Sequence, residues 1–225
     1  MQGGYKVFNL ILKDILIQKR TFLLGIVYIL IMILSFQQSG SPMFSASVIA
    51  FSYIMVQSAC AYDDKNKSDI LLNSLPLNRS TIVTAKYISI FIFTAITIVY
   101  YILLTAIVKI LELPLNVYPV SLEGIIGILF ALVLISGIYF PIFFKVGYIK
   151  SKIANFVLFF MVFTGGGILV PELIEDKNQA FIQGILQFLR KQSKLQVIVE
   201  IFLVMILLLV ISYALSLKFY RKREF

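Results

Sequence analysis

The chain has no histidine, no tryptophan and a single cysteine in 225 residues. Without histidine it lacks the commonest metal ligand and the usual general base near neutral pH. With only Cys60, no intrachain disulfide can form, and its place in an apolar run marks it as packing. No G-x-x-x-x-G-K-[ST], H-E-x-x-H or G-x-S-x-G occurs, which excludes a phosphate loop of its own and two common hydrolase sites. Charge is also scarce. Charged residues make up 14%, against about 25% in a soluble domain.

What is present is apolar length. The hydrophobic fraction is 60%, and residues 21–62, 87–108, 124–144, 153–171 and 201–217 carry no charge. A spanning helix needs roughly 20 apolar residues. The expected fold class is therefore all-α, a polytopic membrane protein forming a single transmembrane domain. Residues 21–62 would reach roughly 60 Å as one helix, twice the hydrocarbon core. They must fold back, and the polar turn cluster at 37–42 is the place. Six spans result, at about 21–36, 43–62, 81–111, 121–144, 151–170 and 195–217.

The segments between them have their own patterns. In residues 1–20, Tyr5, Phe8, Leu12, Ile15 and Leu16 share one helical face and Lys6, Asn9, Lys13 and Arg20 another. That suits an N-terminal helix in the headgroup plane, with no removable signal peptide. Residues 172–194 set Phe181, Ile185, Phe188 and Leu189 against Gln183, Gln187, Arg190 and Lys191. They predict an amphipathic external segment before the sixth span. Gly124, Gly127, Ser136 and Gly137 give the fourth span close-approach surfaces, and Pro141 bends its end. Gly165–Gly167 and Pro171 break or bend the fifth. Mid-span Ser52, Ser58, Thr94, Thr97, Thr105, Ser136, Asn155 and Thr164 predict hydrogen bonds between helices. Lys109, Glu123 and Glu200 fall near span ends, which gives little support to an ion path.

Charge sets the orientation. Fifteen Lys or Arg flank the spans on the side of both termini, and five on the other. The positive-inside rule places both termini, residues 63–80 and the loop at 145–152 in the cytoplasm of a multi-pass plasma-membrane protein. The net charge of +9 is thereby absorbed by topology, with no nucleic-acid partner implied.

Residues 63–86, DDKNKSDILLNSLPLNRSTIVTAK, are the polar interruption between apolar blocks. Ser68 can cap a short helix at 69–75, with Asp69 in its first turn and Pro76 as its stop. Leu71, Leu72 and Leu75 would share a face. Asn78 or Ser80 can cap the third span.

Ser74-Leu75-Pro76, then Arg79, then Lys86-Tyr87 resembles the cytoplasmic segment of small permease subunits in the ABC-2 transporter family. In length and layout the chain resembles permeases of Gram-positive exporters of antimicrobial and cytolytic peptides, such as those for phenol-soluble modulins and lantibiotic self-protection systems. The resemblance implies no catalytic site in this chain and no cofactor of its own. ATP and Mg would act in a separate ABC ATPase subunit. It implies a permease pair (two copies or a copy with a sister) and export of amphipathic or hydrophobic peptides. Residues 63–80 would be the coupling segment. Leu71, Leu72 and Leu75 would supply apolar contacts, and Asp63, Asp64, Lys65, Lys67 and Asp69 charged register, with Pro76 and Arg79 completing the motif. Phe91, Phe93, Phe156, Phe159, Phe160 and Phe163 would suit a peptide cargo or lipid. Export of sodium or a drug is the related alternative, and a membrane scaffold or sensor the unrelated one.

Overall fold

The computed structural model describes residues 2–37, 42–75, 77–164 and 192–223. The described residues form eight α-helices and no strand: α1 Gln2–Ile17, α2 Lys19–Ser35, α3 Pro42–Lys65, α4 Ser68–Ser74, α5 Arg79–Ile110, α6 Leu122–Val146, α7 Tyr148–Thr164 and α8 Lys194–Lys222. Four of them, α3, α5, α6 and α8, are each long and apolar enough to cross a membrane. A fifth crossing arises if α1 and α2, bent by 62° at Gln18, count as one broken span. Alone, α2 has 17 residues, roughly 26 Å, a little short of the hydrocarbon core. Among the described residues, length and composition thus support four or five of the six expected spans. The glycine break at 165–167, Pro171 and the amphipathic stripe of 172–194 lie outside the described residues, apart from the last three positions.

Burial ranks the helices. In their apolar windows α3 is 67% buried, α6 44%, α5 33% and α8 11%. So α3 is the central post, packed by α2, α5 and α6, while α8 clasps α6 and α5 from outside. The outer face of α8 presents Leu203, Ile206, Leu207 and Val210. Such a row suits acyl chains, since helices with satisfied backbones can face lipid.

Aromatic rings fill the gaps between posts. Phe51 of α3 stacks on Tyr28 of α2 at 5.9 Å and lies against Tyr100 of α5 at 6.4 Å. Gly25 makes room for it, because a Cβ there would stand 2.1 Å from the ring. Gly25→Val is expected to destabilise the chain by about 1–3 kcal/mol through overpacking, read as a fall in unfolding temperature in detergent. Gly137 approaches Ser212 of α8 in ordinary contact, whereas Gly127 faces open space and is no close-approach site.

The expected hydrogen bonds between spans mostly do not form. Thr94, Thr97 and Thr105 donate to carbonyls four residues back on their own helix, which a helical threonine can always reach. The side chain of Thr164 lies outside the described set. Thr97 also reaches Met55 Sδ of α3 at 3.9 Å, and other cross-helix bonds involve tyrosines and Ser212. The Tyr87 hydroxyl pairs with Ser212 and Ser216, Thr84 with Tyr213 at 3.0 Å, and Ser212 donates to the Gly137 carbonyl.

The connections are tighter than a lysine count suggests. Residues 145–152 are mostly helical, with Gly147 alone between α6 and α7. Its φ of 80° and ψ of 176° belong to a region only glycine occupies readily. Pro141 stays inside α6, which runs on to Val146. At the opposite end Gln37 and Asn116 exchange backbone and side-chain hydrogen bonds, 2.7 and 3.4 Å, tying two loops together. Ser193 and Gln196 form a capping box that starts α8.

Candidate coupling segment

The segment between α3 and α5 is built from a left-handed turn, a seven-residue helix and an extended stop. Lys67 has φ 49° and ψ 36°, which turns the chain out of α3. Its carbonyl accepts from the Ile70 N–H at 3.1 Å and so opens α4. Ser68 is therefore the first residue of α4, not its cap, and Lys67 gives no side-chain cap. Leu75 ends the helix at ψ 155°, the extended geometry that a following proline imposes. Pro76 itself and the side chain of Asp69 lie outside the described residues. Asn78 takes the N-cap position of α5 without a side-chain bond.

The leucine face splits in two. Leu72 is buried and belongs to the core cluster. Leu71 and Leu75, 65% and 47% exposed, point outward, and Ile70 joins them at 56%. Leu71 and Leu75 are four residues apart and so lie one above the other. Leu72 is thus a correction to the expected contact face, because α4 uses it to sit on the bundle. The outward apolar patch is Ile70, Leu71 and Leu75, beside exposed Lys65 and Lys67 and half-buried Asp64.

Asp63 is the second correction. Its carboxylate is buried, not a surface group. It accepts from Lys13 of α1 at 2.6 Å and pairs with Lys86 of α5. Lys86 in turn donates to Asp14 of α1 at 2.8 Å, and Lys13 lies 3.2 Å from Asp14. Two lysines and two aspartates make a neutral four-membered cluster. The side chains of Asp14, Asp63 and Lys86 are 4%, 5% and 8% exposed and that of Lys13 28%. Removed from water, such charges hold only while each keeps its partners.

Arg79 ties the start of α5 to the end of α8. Its guanidinium donates to the carbonyls of Tyr220, Arg221 and Arg223 at 2.8, 2.8 and 3.1 Å. These carbonyls end α8, where a helix leaves its last acceptors unsatisfied and partly negative. Arg79 also lies 5.8 Å from the Tyr220 ring centroid. Arg79→Ala is expected to cost about 1.5–3 kcal/mol, the range for hydrogen bonds to a charged group. Faster amide exchange in the last turn of α8 would report it.

Sequence reasoning missed Lys13 and Asp14. A signal for them existed. Leu10, Ile11, Asp14 and Gln18 are all buried at helical spacing, so a carboxylate sits in the middle of an inward face. The opposite face of α1 leaves Phe8, Leu12 and Leu16 exposed.

A groove of about 610 Å³ opens between α2, α3 and α7, lined among others by Tyr28, Tyr53, Gln57, Asn155, Phe156 and Phe160. Asn155 is buried there with its side-chain oxygen unpartnered among the described residues.

The family model for ABC-2 family transporter proteins matches residues 9–221. The chain belongs to the ABC-2 transporter family. It is a multi-pass membrane component of an ABC transporter, and such permeases work with a separate ABC ATPase. The match spans α2 to α8 and most of α1. The chain matches no curated protein and no solved structure.

Proposed function

We propose that this ABC-2 permease exports amphipathic or hydrophobic peptides, driven by ATP and Mg acting in a partner ATPase. Both termini and α4 would face the cytoplasm, with α2 and α7 completing six spans. Two permease subunits, identical or sisters, would form the path. The observation that carries the mechanism is α4. It is short, stopped at both ends, joined directly to α3 and α5, and exposes Ile70, Leu71 and Leu75. An ATPase groove that covers this patch gains apolar burial, and Asp64, Lys65 and Lys67 would set register. The peptide class is supported by the groove between α2, α3 and α7, whose rings and few polar groups match an amphipathic helix.

The test is co-reconstitution with the partner ATPase in liposomes. A cationic or neutral amphipathic helical peptide is expected to stimulate ATP hydrolysis and to cross to the far compartment. Stimulation by sodium or a small drug alone would sink the peptide class. A full-length chain that captures no ABC ATPase would sink the permease mechanism.

A further inference from the structure

The ion cluster joins α3 and α5, the two helices that flank α4 in the chain. Asp63 stands five residues before α4 begins, and Lys86 seven residues into α5 beyond Arg79. Asp63 and Lys86 alone would make a neutral pair between the two arms of the coupling segment. Two further charges come from α1, and they reach crosswise. Lys13 goes to Asp63 on α3, while Asp14 goes to Lys86 on α5. Apolar side chains at 13 and 14 would fill the same space without desolvating two more charges, an exchange that is often neutral or stabilising. The extra pair therefore suits positioning better than stability. It fixes α1 to both arms with directional contacts, where apolar packing would let it slide. The free side of α1, with Phe8, Leu12 and Leu16, is an apolar row fit for a lipid boundary. Its joint to α2 is a 62° bend.

We propose that Lys13 and Asp14 are positioning residues that make α1 travel with α3, α4 and α5 as one body when α4 is displaced. This rests on ATPase docking at α4 as proposed above. A push on α4 would then move a helix lying along the membrane surface as well as the spans themselves.

The experiment uses the full chain in lipid nanodiscs, with Cys60→Ala and dilution by unlabelled chain. Spin labels at Phe8→Cys and Leu71→Cys report the α1–α4 distance without any ATPase. The wild-type cluster is expected to give a narrow distribution. The double variant Lys13→Gln/Asp14→Asn leaves the Asp63–Lys86 pair intact, so the bundle keeps its fold while the distribution broadens. Lys13→Arg, which keeps the cation, is expected to keep it narrow. An equally narrow distribution in the double variant would overturn the proposal. The second arm places labels at Phe8→Cys and Ile149→Cys in the complex with the ATPase. ATP binding is expected to shift this distance in the wild type and to lose the shift in the double variant while hydrolysis continues. A shift that persists there would also overturn it. Should no ATPase bind, docking at α4 falls, and the ATP-free arm still decides whether the cluster holds α1.

Discussion

Lys86→Met is expected to cost about 3–5 kcal/mol of stability, the range for removing one partner of a buried ion pair. Methionine keeps most of the stem volume, so the loss reports charge and not packing. It leaves Asp14 and Asp63 buried with Lys13 as their shared cation, and Lys13 is itself partly in solvent. The comparison that makes the case is Lys13→Met. There Lys86 still serves both carboxylates, and the lost cation was part-exposed, so about 1 kcal/mol or less is expected. Lys86→Arg should fall between them, since it keeps the charge and must fit a larger head. Denaturant unfolding in mild detergent, followed by circular dichroism, checks the ranking. Equal losses for Lys86→Met and Lys13→Met would show that burial does not govern the cluster.

The second large effect separates two neighbouring leucines. Leu71→Asp should leave folding intact, because the side chain is mainly in solvent. It should weaken ATPase capture by about 2 kcal/mol or more, roughly thirtyfold, as for an apolar anchor at the centre of an interface. Leu72→Asp should act the other way round. It puts a carboxylate against the core, and its loss of packing alone is worth about 2–5 kcal/mol. Its first symptom should be detachment of α4 and a lower unfolding temperature. Measuring ATPase affinity and thermal stability for both variants gives a crossed pattern. If Leu71→Asp binds the ATPase as well as wild type, α4 is not the docking element.

The bundle could be read from the sequence because its cause is local. Apolar runs of spanning length, bounded by charge, put the long helices within a few residues of 43–62, 81–111, 121–144 and 195–217. Where a terminus depends on side-chain geometry, the boundary moved. Ser68 is polar and well placed to cap, yet the left-handed turn at Lys67 lets α4 start one residue earlier without it. Lys145, Lys150 and Lys152 suggested a loop, but each is exposed on a helix, and one glycine suffices for the turn.

The candidate site was legible in place and not in detail, for a physical reason. Ile70, Leu71, Leu72 and Leu75 on a two-turn helix offer more than one apolar face. Which face turns inward is decided by what lies beneath, and periodicity does not contain that. Likewise Asp63 next to Asp64 looks like one acidic surface pair. Only the meeting of α1, α3 and α5 sends the first into the bundle and leaves the second half-exposed. Lys86 and Arg79 were recognised as pattern. Their work as ties to α1 and to α8 needed coordinates.

The two ties also differ in when they can form. Every member of the ion cluster lies between Lys13 and Lys86, so it can close before α6 has been synthesised. Arg79 must wait for an acceptor 141 residues later, roughly seven to thirty seconds at ordinary elongation rates. The candidate coupling segment is thus braced on one flank early in synthesis and clamped on the other only after α8 has been made. A chain stalled before α8 would carry the ion cluster and the buried Leu72 contact but lack the Arg79 clamp.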